Sequence, residues 1–260
     1  MAYEPYIRLG AFFIILIAMG VAETLWPRRV LDAPKAKRWF SNVGISFVSA
    51  GLVRLLLPLV PTVLALYCTE QGWGLLNILE VPYWFAFILS VLILDMLIYG
   101  QHVAFHYYPI LWRLHRMHHA DINIDASTGI RFHPIEIFLS MVIKLVSILV
   151  LGPPASAVLT FEVLLNGSAM FNHANVFIPI RTDATLRQFL VTPDMHRVHH
   201  STHRREYNTN YGFCFPWWDR MFKTYTAQPA EGHTGMKIGL NIFRDSRYHG
   251  LFSMLRIPFL

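Results

Sequence analysis

Long apolar stretches are the feature that most constrains how this chain can fold. Residues 7–26, 43–67 and 82–99 are each long enough to cross about 30 Å of hydrocarbon as a helix, and residues 135–151 and 155–171 form a further pair. Only 15% of the residues are charged, whereas a soluble domain carries about 25%. No basic segment precedes the first run, so we expect an uncleaved span rather than a signal peptide. The composition predicts an all-α integral membrane protein.

The distribution of charge predicts the orientation of the spans. The loop between the first two spans contains five basic residues, namely Arg28, Arg29, Lys35, Lys37 and Arg38. By the positive-inside rule this loop is cytoplasmic. Residues 68–81 contain no lysine or arginine and are expected outside, so the third span returns to the cytoplasm. The net charge of +6 then marks a cytoplasmic face, and no nucleic-acid partner is expected.

Three residues interrupt the second span. Pro58 and Pro61 predict a kink. Arg54 is costly at the middle of a membrane, so we expect it to pack inward or to extend its guanidinium towards the interface.

Histidines cluster in three short segments after the third span. They are His102 with His106, then His115 with His118 and His119, and finally His196 with His199 and His200. Positions three or four apart lie on one face of a helix, so each cluster points its imidazoles in one direction. Neutral imidazole is a common ligand for zinc and iron. Because these eight ligands exceed the four of a tetrahedral site, the pattern predicts two ions sharing one cage.

One acid lies on the same helical stripe. Asp95, Tyr99, His102 and His106 follow one face of the third helix. A buried carboxylate one or two turns from a metal-binding histidine can accept its other ring N–H and fix the tautomer. We therefore expect Asp95 to orient His102 or His106, and simple pairing with a neighbouring polar group is the alternative.

The clusters can share a cage only if they lie on one side of the membrane. An even number of crossings must therefore separate His119 from His196. A helical hairpin that turns at residues 152–154 gives that number and returns His173 to the cage, where we expect it to be a ligand. His133 could ligate or could cap a helix. The prediction is about three spanning helices plus a hairpin, four to five crossings, with a cytoplasmic helical cap that carries a dimetal site.

The residues alone leave the chemistry open. Zinc would serve hydrolysis or structure, whereas iron would serve activation of O2 and attack on C–H bonds. The Gly-x-Ser-x-Gly and His-Glu-x-x-His motifs are absent. A substrate that reaches the cage through the bilayer would be a lipid. A membrane zinc hydrolase and a non-catalytic metal-binding or transport protein are the alternatives.

The ordered histidine set is His102-x3-His106, His115-x2-His118-His119, His173 and His196-x2-His199-His200. Together with the flanking residues 131–136, 172–175, 210–212 and 218–222, it resembles the fatty acid hydroxylase and sterol desaturase superfamily. The resemblance covers about residues 80–260. It predicts one membrane domain, with residues 1–80 as N-terminal spans and residues 81–260 as a fatty acid hydroxylase-like catalytic region.

The resemblance implies a non-haem di-iron oxygenase that uses O2 as co-substrate and two electrons to hydroxylate or desaturate a fatty acyl or sterol-like lipid. It implies that the eight clustered histidines and His173 bind two iron ions. His133 matches a position of the family pattern, and its ligation stays open. The 260 residues leave no room for a fused cytochrome b-type domain, so a separate electron-transfer protein is expected. The location implied is the endoplasmic reticulum in a eukaryote or the inner membrane in a bacterium, with the histidines on the cytoplasmic side.

Overall fold

The computed structural model describes residues 3–260, and within that range the chain is helical and contains no β-strand. Met1 and Ala2, at the start of the predicted N-terminal segment, lie outside the described residues. In chain order the α-helices are α1 (Glu4–Leu25), α2 (Lys35–Leu56), α3 (Pro61–Gln71), α4 (Leu75–Ile78), α5 (Tyr83–Tyr107), α6 (Pro109–His119), α7 (Pro134–Leu151), α8 (Ala155–His173), α9 (Ile180–Leu186), α10 (Pro193–His199), α11 (Arg204–Tyr207), α12 (Trp217–Met221), α13 (Gly232–Gly235) and α14 (Leu251–Arg256). Three 3₁₀ helices span Ala126–Ile130, Ser246–His249 and Ile257–Phe259.

Four segments are long and apolar enough to cross a membrane. They are Glu4–Leu25, Lys35–Ile78, Tyr83–Tyr107 and Pro134–Leu151. In hydrocarbon a helix satisfies its own backbone hydrogen bonds, which is why such runs become helices. The prediction of an all-α, multi-pass membrane protein is therefore confirmed. α7 and α8 are joined at residues 152–154, where the hairpin was predicted to turn, and of these two helices only α7 is among the four segments named above.

The second apolar segment is broken where prolines predicted a kink. α2 ends at Leu56 and α3 begins at Pro61. Proline suits the first turn of a helix, because the N–H that it lacks would have no partner there. α2 begins at Lys35, earlier than the predicted span, so Arg38 lies in a helix rather than in the basic loop.

A close approach of two glycines fixes the turn of the hairpin. Gly152 ends α7 with φ of 66°, in the left-handed region that glycine adopts without strain. A Cβ atom on Gly74, in the loop before α4, would lie 2.3 Å from the Gly152 nitrogen. Only glycine permits this contact, which holds the end of the hairpin farthest from the histidines.

Buried polar contacts join α1 and α2 to the cap, by which we mean residues 109–133 and 174–260. The Arg38 guanidinium donates to Asp121 (Nε to Oδ1, 2.8 Å) and to Asp125 (Nη1 to Oδ2, 2.5 Å). All three side chains are fully buried. The Glu23 carboxylate accepts the backbone N–H of Ala126 at 2.6 Å. Buried contacts to α1 and α2 therefore help to hold the cap in place.

Candidate metal centre

Each histidine predicted as a ligand lies on a helix or directly after one. Pro109 opens α6 and Pro193 opens α10, and both helices are short, so their histidines sit at helix ends that face the bundle. The helices contribute His102 and His106 from α5, His115, His118 and His119 from α6, His173 from α8, and His196, His199 and the adjoining His200 from α10.

These nine side chains form two groups, and within each group the candidate ligand nitrogens all lie within 4.8 Å of one another. Site A consists of His102, His106, His115, His119 and His199, and site B consists of His118, His173, His196 and His200. All are buried except the half-buried His106. The two sites share a wall, because the ring of His119 stacks on that of His200 with centroids 4.5 Å apart.

The nitrogen spacing in site B fits a metal ion. Nε2 of His173 lies 3.1 Å from Nε2 of His118, 3.1 Å from that of His196 and 3.2 Å from that of His200. One ring nitrogen has either one proton or one lone pair, so it cannot form three hydrogen bonds. With metal–nitrogen bonds of about 2.1 Å, neighbouring ligand atoms lie about 3.0 Å apart in an octahedron and about 3.4 Å apart in a tetrahedron. The observed spacings fall between these values.

The ring nitrogens of site A also fit a metal ion, by their spacing and because several of them have no hydrogen-bond partner. Nε2 of His102 lies 3.1 Å from Nε2 of His115. Nε2 of His106, Nε2 of His199 and both ring nitrogens of His119 are buried without a hydrogen-bond partner in the described chain. A buried polar atom left unpaired is costly, and coordination of a cation removes that cost.

Backbone carbonyl oxygens hold the opposite nitrogen of several rings. A ring that donates from Nδ1 keeps its lone pair on Nε2, the atom that faces the site. The Nδ1 donors and their acceptors are His102 to Tyr211 (2.7 Å), His118 to Arg131 (3.1 Å), His173 to Ala169 (2.6 Å) and His199 to Thr209 (2.7 Å).

Glu136 is a residue of this centre that the sequence reasoning missed. Its Oε1 accepts from Nδ1 of His115 at 2.7 Å, and the two side chains are 5% and 2% exposed. In the sequence it is an acid in the first turn of an apolar helix, which complements the helix dipole without any functional role. Its other oxygen, Oε2, is buried without a partner in the described chain.

Asp95 does not make the contact expected of it. Its carboxylate accepts the indole N–H of Trp218 at 2.8 Å and the backbone N–H groups of Cys214 (3.2 Å) and Phe215 (3.3 Å). His102 donates instead to the Tyr211 carbonyl of the same loop. Asp95 therefore contacts the segment that accepts from His102 and not the His102 ring itself.

His133 belongs to neither site. Its Nδ1 accepts the backbone N–H of Ile135 at 3.3 Å, which caps α7, and its Nε2 donates to the Leu255 carbonyl at 3.3 Å. Both nitrogens are thereby used, so of the two roles left open by the sequence the structure shows the helix cap.

Burial keeps the cap histidines neutral. It lowers the pKa of these side chains because the imidazolium form is penalised in a dry interior, and neighbouring imidazoles add to the shift. The pKa lies well below its usual value for His118, His119, His196, His199 and His200. Burial lowers the pKa of His115 to about 3. Neutral imidazole is the form that a metal ion requires.

A cavity of about 850 Å³ extends from site A into the helical bundle. His102, His115 and Glu136 line its inner end, while Phe12 and Val53 are among the apolar residues of its walls. This volume is in the range of pockets that enclose small organic ligands. The cavity gives an apolar molecule a route to the histidines from within the bundle.

The fold and the centre define a multi-pass membrane protein with a histidine-rich site suited to two metal ions. The sequence pattern of the family described as fatty acid hydroxylase matches residues 87–224, which is more than half of the 260 residues. The chain belongs to the fatty acid hydroxylase family.

Three curated relatives show what the chain is similar to. The ornithine lipid hydroxylase OlsE of Rhizobium tropici is 28% identical over 178 residues, which is 68% of this chain and 51% of that protein. The alkylglycerol monooxygenase of Homo sapiens is 27% identical over 219 residues, or 81% and 47%. The very-long-chain aldehyde decarbonylase GL1-4 of Oryza sativa subsp. indica is 25% identical over 146 residues, or 53% and 23%. The chain spans about half the length of the first two relatives. No solved structure matches it significantly.

Proposed function

We propose that this chain is a membrane-bound di-iron oxygenase that hydroxylates or desaturates a lipid with O2 and electrons from a separate protein. The observation that carries the proposal is the convergence of nine buried imidazoles in two groups at the end of an apolar cavity. The relatives support it, because two of them are named as a lipid hydroxylase and an alkylglycerol monooxygenase.

The nine histidines of sites A and B are the proposed ligands, one ion in each site. Imidazole suits both iron and zinc, so the donor set alone does not choose between them. Iron is the choice that agrees with the redox activities named for the relatives. Two bound iron ions would supply reductive activation of O2 and removal of hydrogen from a C–H bond.

The protein contributes orientation and exclusion of water. The carbonyl groups of Tyr211 and Arg131 and the carboxylate of Glu136 hold ligand rings by their Nδ1 atoms, so that each Nε2 faces its site. The cavity brings the reacting carbon of the lipid to site A. Its apolar walls keep bulk water away from the reacting groups.

The balance of the reaction requires an electron donor. Hydroxylation consumes the lipid C–H, O2, two electrons and two protons and yields an alcohol and water.

The surface near site A offers a route for these electrons. Tyr207 stacks on Trp112 with ring centroids 5.6 Å apart, and Trp112 lies 4.9 Å from the ring of His106 and 5.4 Å from that of His119. We propose that the donor docks where Tyr207 lies.

The proposed location is a cellular membrane, the inner membrane if the source is bacterial, with the cap in the cytoplasm. The basic residues between α1 and α2 support this orientation by the positive-inside rule. The same rule supports a cytoplasmic cap, because the exposed Arg204 and Arg205 follow His200 by only four and five residues.

The test combines metal content with lipid products. Purified wild-type protein should contain about two iron ions per chain. With reduced donor and air it should add one oxygen atom to a lipid or remove two hydrogen atoms, as read by mass spectrometry. The His118→Ala variant should lose one ion and the product. His203→Ala is the matched control, because His203 is exposed and lies outside both sites. Turnover that persists without O2 on a zinc-loaded protein would instead establish the hydrolase.

A further inference from the structure

An arginine in the second apolar segment has no acidic partner. Arg54 lies in the last turn of α2 and lines the cavity that extends from site A. Its Nη1 donates to the Pro58 carbonyl oxygen at 3.3 Å, its one hydrogen bond in the described chain. Arg54 is exposed at the end of α2 farthest from Lys35, so its guanidinium is free to bind an anionic group at the mouth of the cavity.

The other charged groups at this end of the cavity compensate one another. Lys144 pairs with Glu162 (Nζ to Oε1, 2.7 Å). Arg8 pairs with Glu162 and, at 2.8 Å, with Glu4. Two cations thus balance two carboxylates, and Arg54 is left as one surplus positive charge that faces the cavity. The surplus would be neutralised by one anionic group in the cavity.

Helix geometry gives the distance from this charge to the histidines. Arg54 lies five residues along α2 from Ser49, hence about 8 Å. The Ser49 hydroxyl donates to the Phe132 carbonyl at 3.3 Å, and the Phe132 ring stacks on His118 with centroids 4.5 Å apart. The anion position is therefore on the order of 15 Å from the metal centre.

The walls between the two ends decide what kind of anion fits. Leu9, Phe12 and Val53 lie along the cavity, and an inorganic anion would leave this apolar surface without a partner. An alkyl chain that carries an acidic group would cover the walls and neutralise Arg54 at the same time.

We propose that Arg54 binds the carboxylate or phosphate of the lipid substrate and so selects acidic lipids over neutral lipids and sterols. This inference rests on the proposed oxygenase function and adds the substrate class to it. Because Arg54 and the histidines are both fixed on helices, the oxidised carbon should lie at a constant distance from the anionic group.

The first experiment measures binding without turnover. The 260-residue chain without metal, in a non-ionic detergent, is titrated at pH 8 with hexadecanoic acid, hexadecan-1-ol and hexadecyl phosphate. Wild type should bind one molecule of either acidic lipid saturably and about tenfold or more tightly than the alcohol, the scale of one charge-assisted hydrogen bond. Arg54→Gln should abolish this preference, and Arg54→Lys should keep most of it.

Matched controls isolate the charge of Arg54. Arg205→Gln removes an exposed arginine of the cap and should leave the preference unchanged. Helical content by circular dichroism should be the same in all variants, because Arg54 has only one backbone contact to lose.

Several results would overturn the inference. The first is equal affinity of wild type for the acid and the alcohol, and the second is a preference that survives Arg54→Gln. Unsaturable binding typical of a lipid interface, or displacement of hexadecyl phosphate by equimolar inorganic phosphate, would also overturn it.

A second measurement uses active enzyme with tetradecanoic, hexadecanoic and octadecanoic acids. The oxidised carbon should keep one position counted from the carboxyl group, and a position that shifts with chain length would contradict the anchor. Binding with no product would refute the oxygenase alone, and product without the preference would refute the anchor alone.

Discussion

Replacing Glu136 by glutamine should weaken site A and spare site B. The carboxylate accepts from Nδ1 of His115 at 2.7 Å, and both side chains are almost fully buried. With an ion in site A, glutamine would keep the size and one acceptor oxygen but remove the negative charge that accepts from the metal-bound ring. The difference between a charged and a neutral buried hydrogen bond is about 1 to 2 kcal/mol. The affinity of site A for its ion should therefore fall about 10-fold, towards the lower end of the 10- to 100-fold range for such partners.

Site B should keep its affinity because its histidines are held differently. His118 and His173 donate to the backbone carbonyl groups of Arg131 and Ala169, which no change at Glu136 removes. Substitution of Glu136 should thus change the metal affinity of site A without changing that of site B.

The assay is an anaerobic titration of Fe²⁺ against a chelator of known affinity, with two binding steps resolved for wild type. Glu136→Gln should shift one step only. Ser140→Ala is the matched control, because Ser140 lies one turn further along α7, lines the same cavity and contacts Gln101 rather than a histidine. Equal weakening of both steps, or no change in either, would refute the assignment of Glu136 to His115.

Three further predictions concern stability, pH and reduction. Arg38→Met should lower the free energy of unfolding by about 3 to 5 kcal/mol, because Asp121 and Asp125 stay buried without their cation; an unchanged thermal midpoint would contradict this. The metal-free protein should lose stability as the pH falls below about 6.5. The histidines of the unfolded chain then take up protons, whereas the buried histidines, with their lowered pKa values, do not. Melting curves at pH 7.5 and 5.5 test this, and the same thermal midpoint at both values would contradict it. Trp112→Leu should slow the reduction of the iron by a protein donor, whereas reduction by dithionite should keep its rate. Stopped-flow absorbance measures both rates, and equal slowing of the two would argue against a route through Tyr207.

The helices could be predicted because lipid leaves an apolar chain almost no other choice. The proline break before α3 and the hairpin turn at Gly152 followed from local backbone chemistry. The division of the histidines into two sites did not follow from local backbone chemistry. His118 and His119 are neighbours in the chain, yet they point about 100° apart on α6 and enter different sites.

Contacts between distant segments account for the other differences. Glu136 meets His115 only because α7 packs beside α6, and nothing near either residue in the sequence indicates the pairing. The periodicity placed Asp95 on the stripe of His102 correctly, but it could not show that Tyr211 would bond to His102 and Trp218 to Asp95. His133 resembled a ligand in type and position, and its local hydrogen bond to Ile135 decided its role.

The ion pairs of Arg38 have a practical consequence for handling this protein. A fragment that begins at α6 would still contain most of the histidines, yet it would lack the counter-ion of Asp121 and Asp125 and the Glu23 contact to the backbone of Ala126. We expect such a fragment to collapse without forming either metal pocket. Reconstitution should therefore start from a chain that retains both N-terminal helices in detergent or lipid.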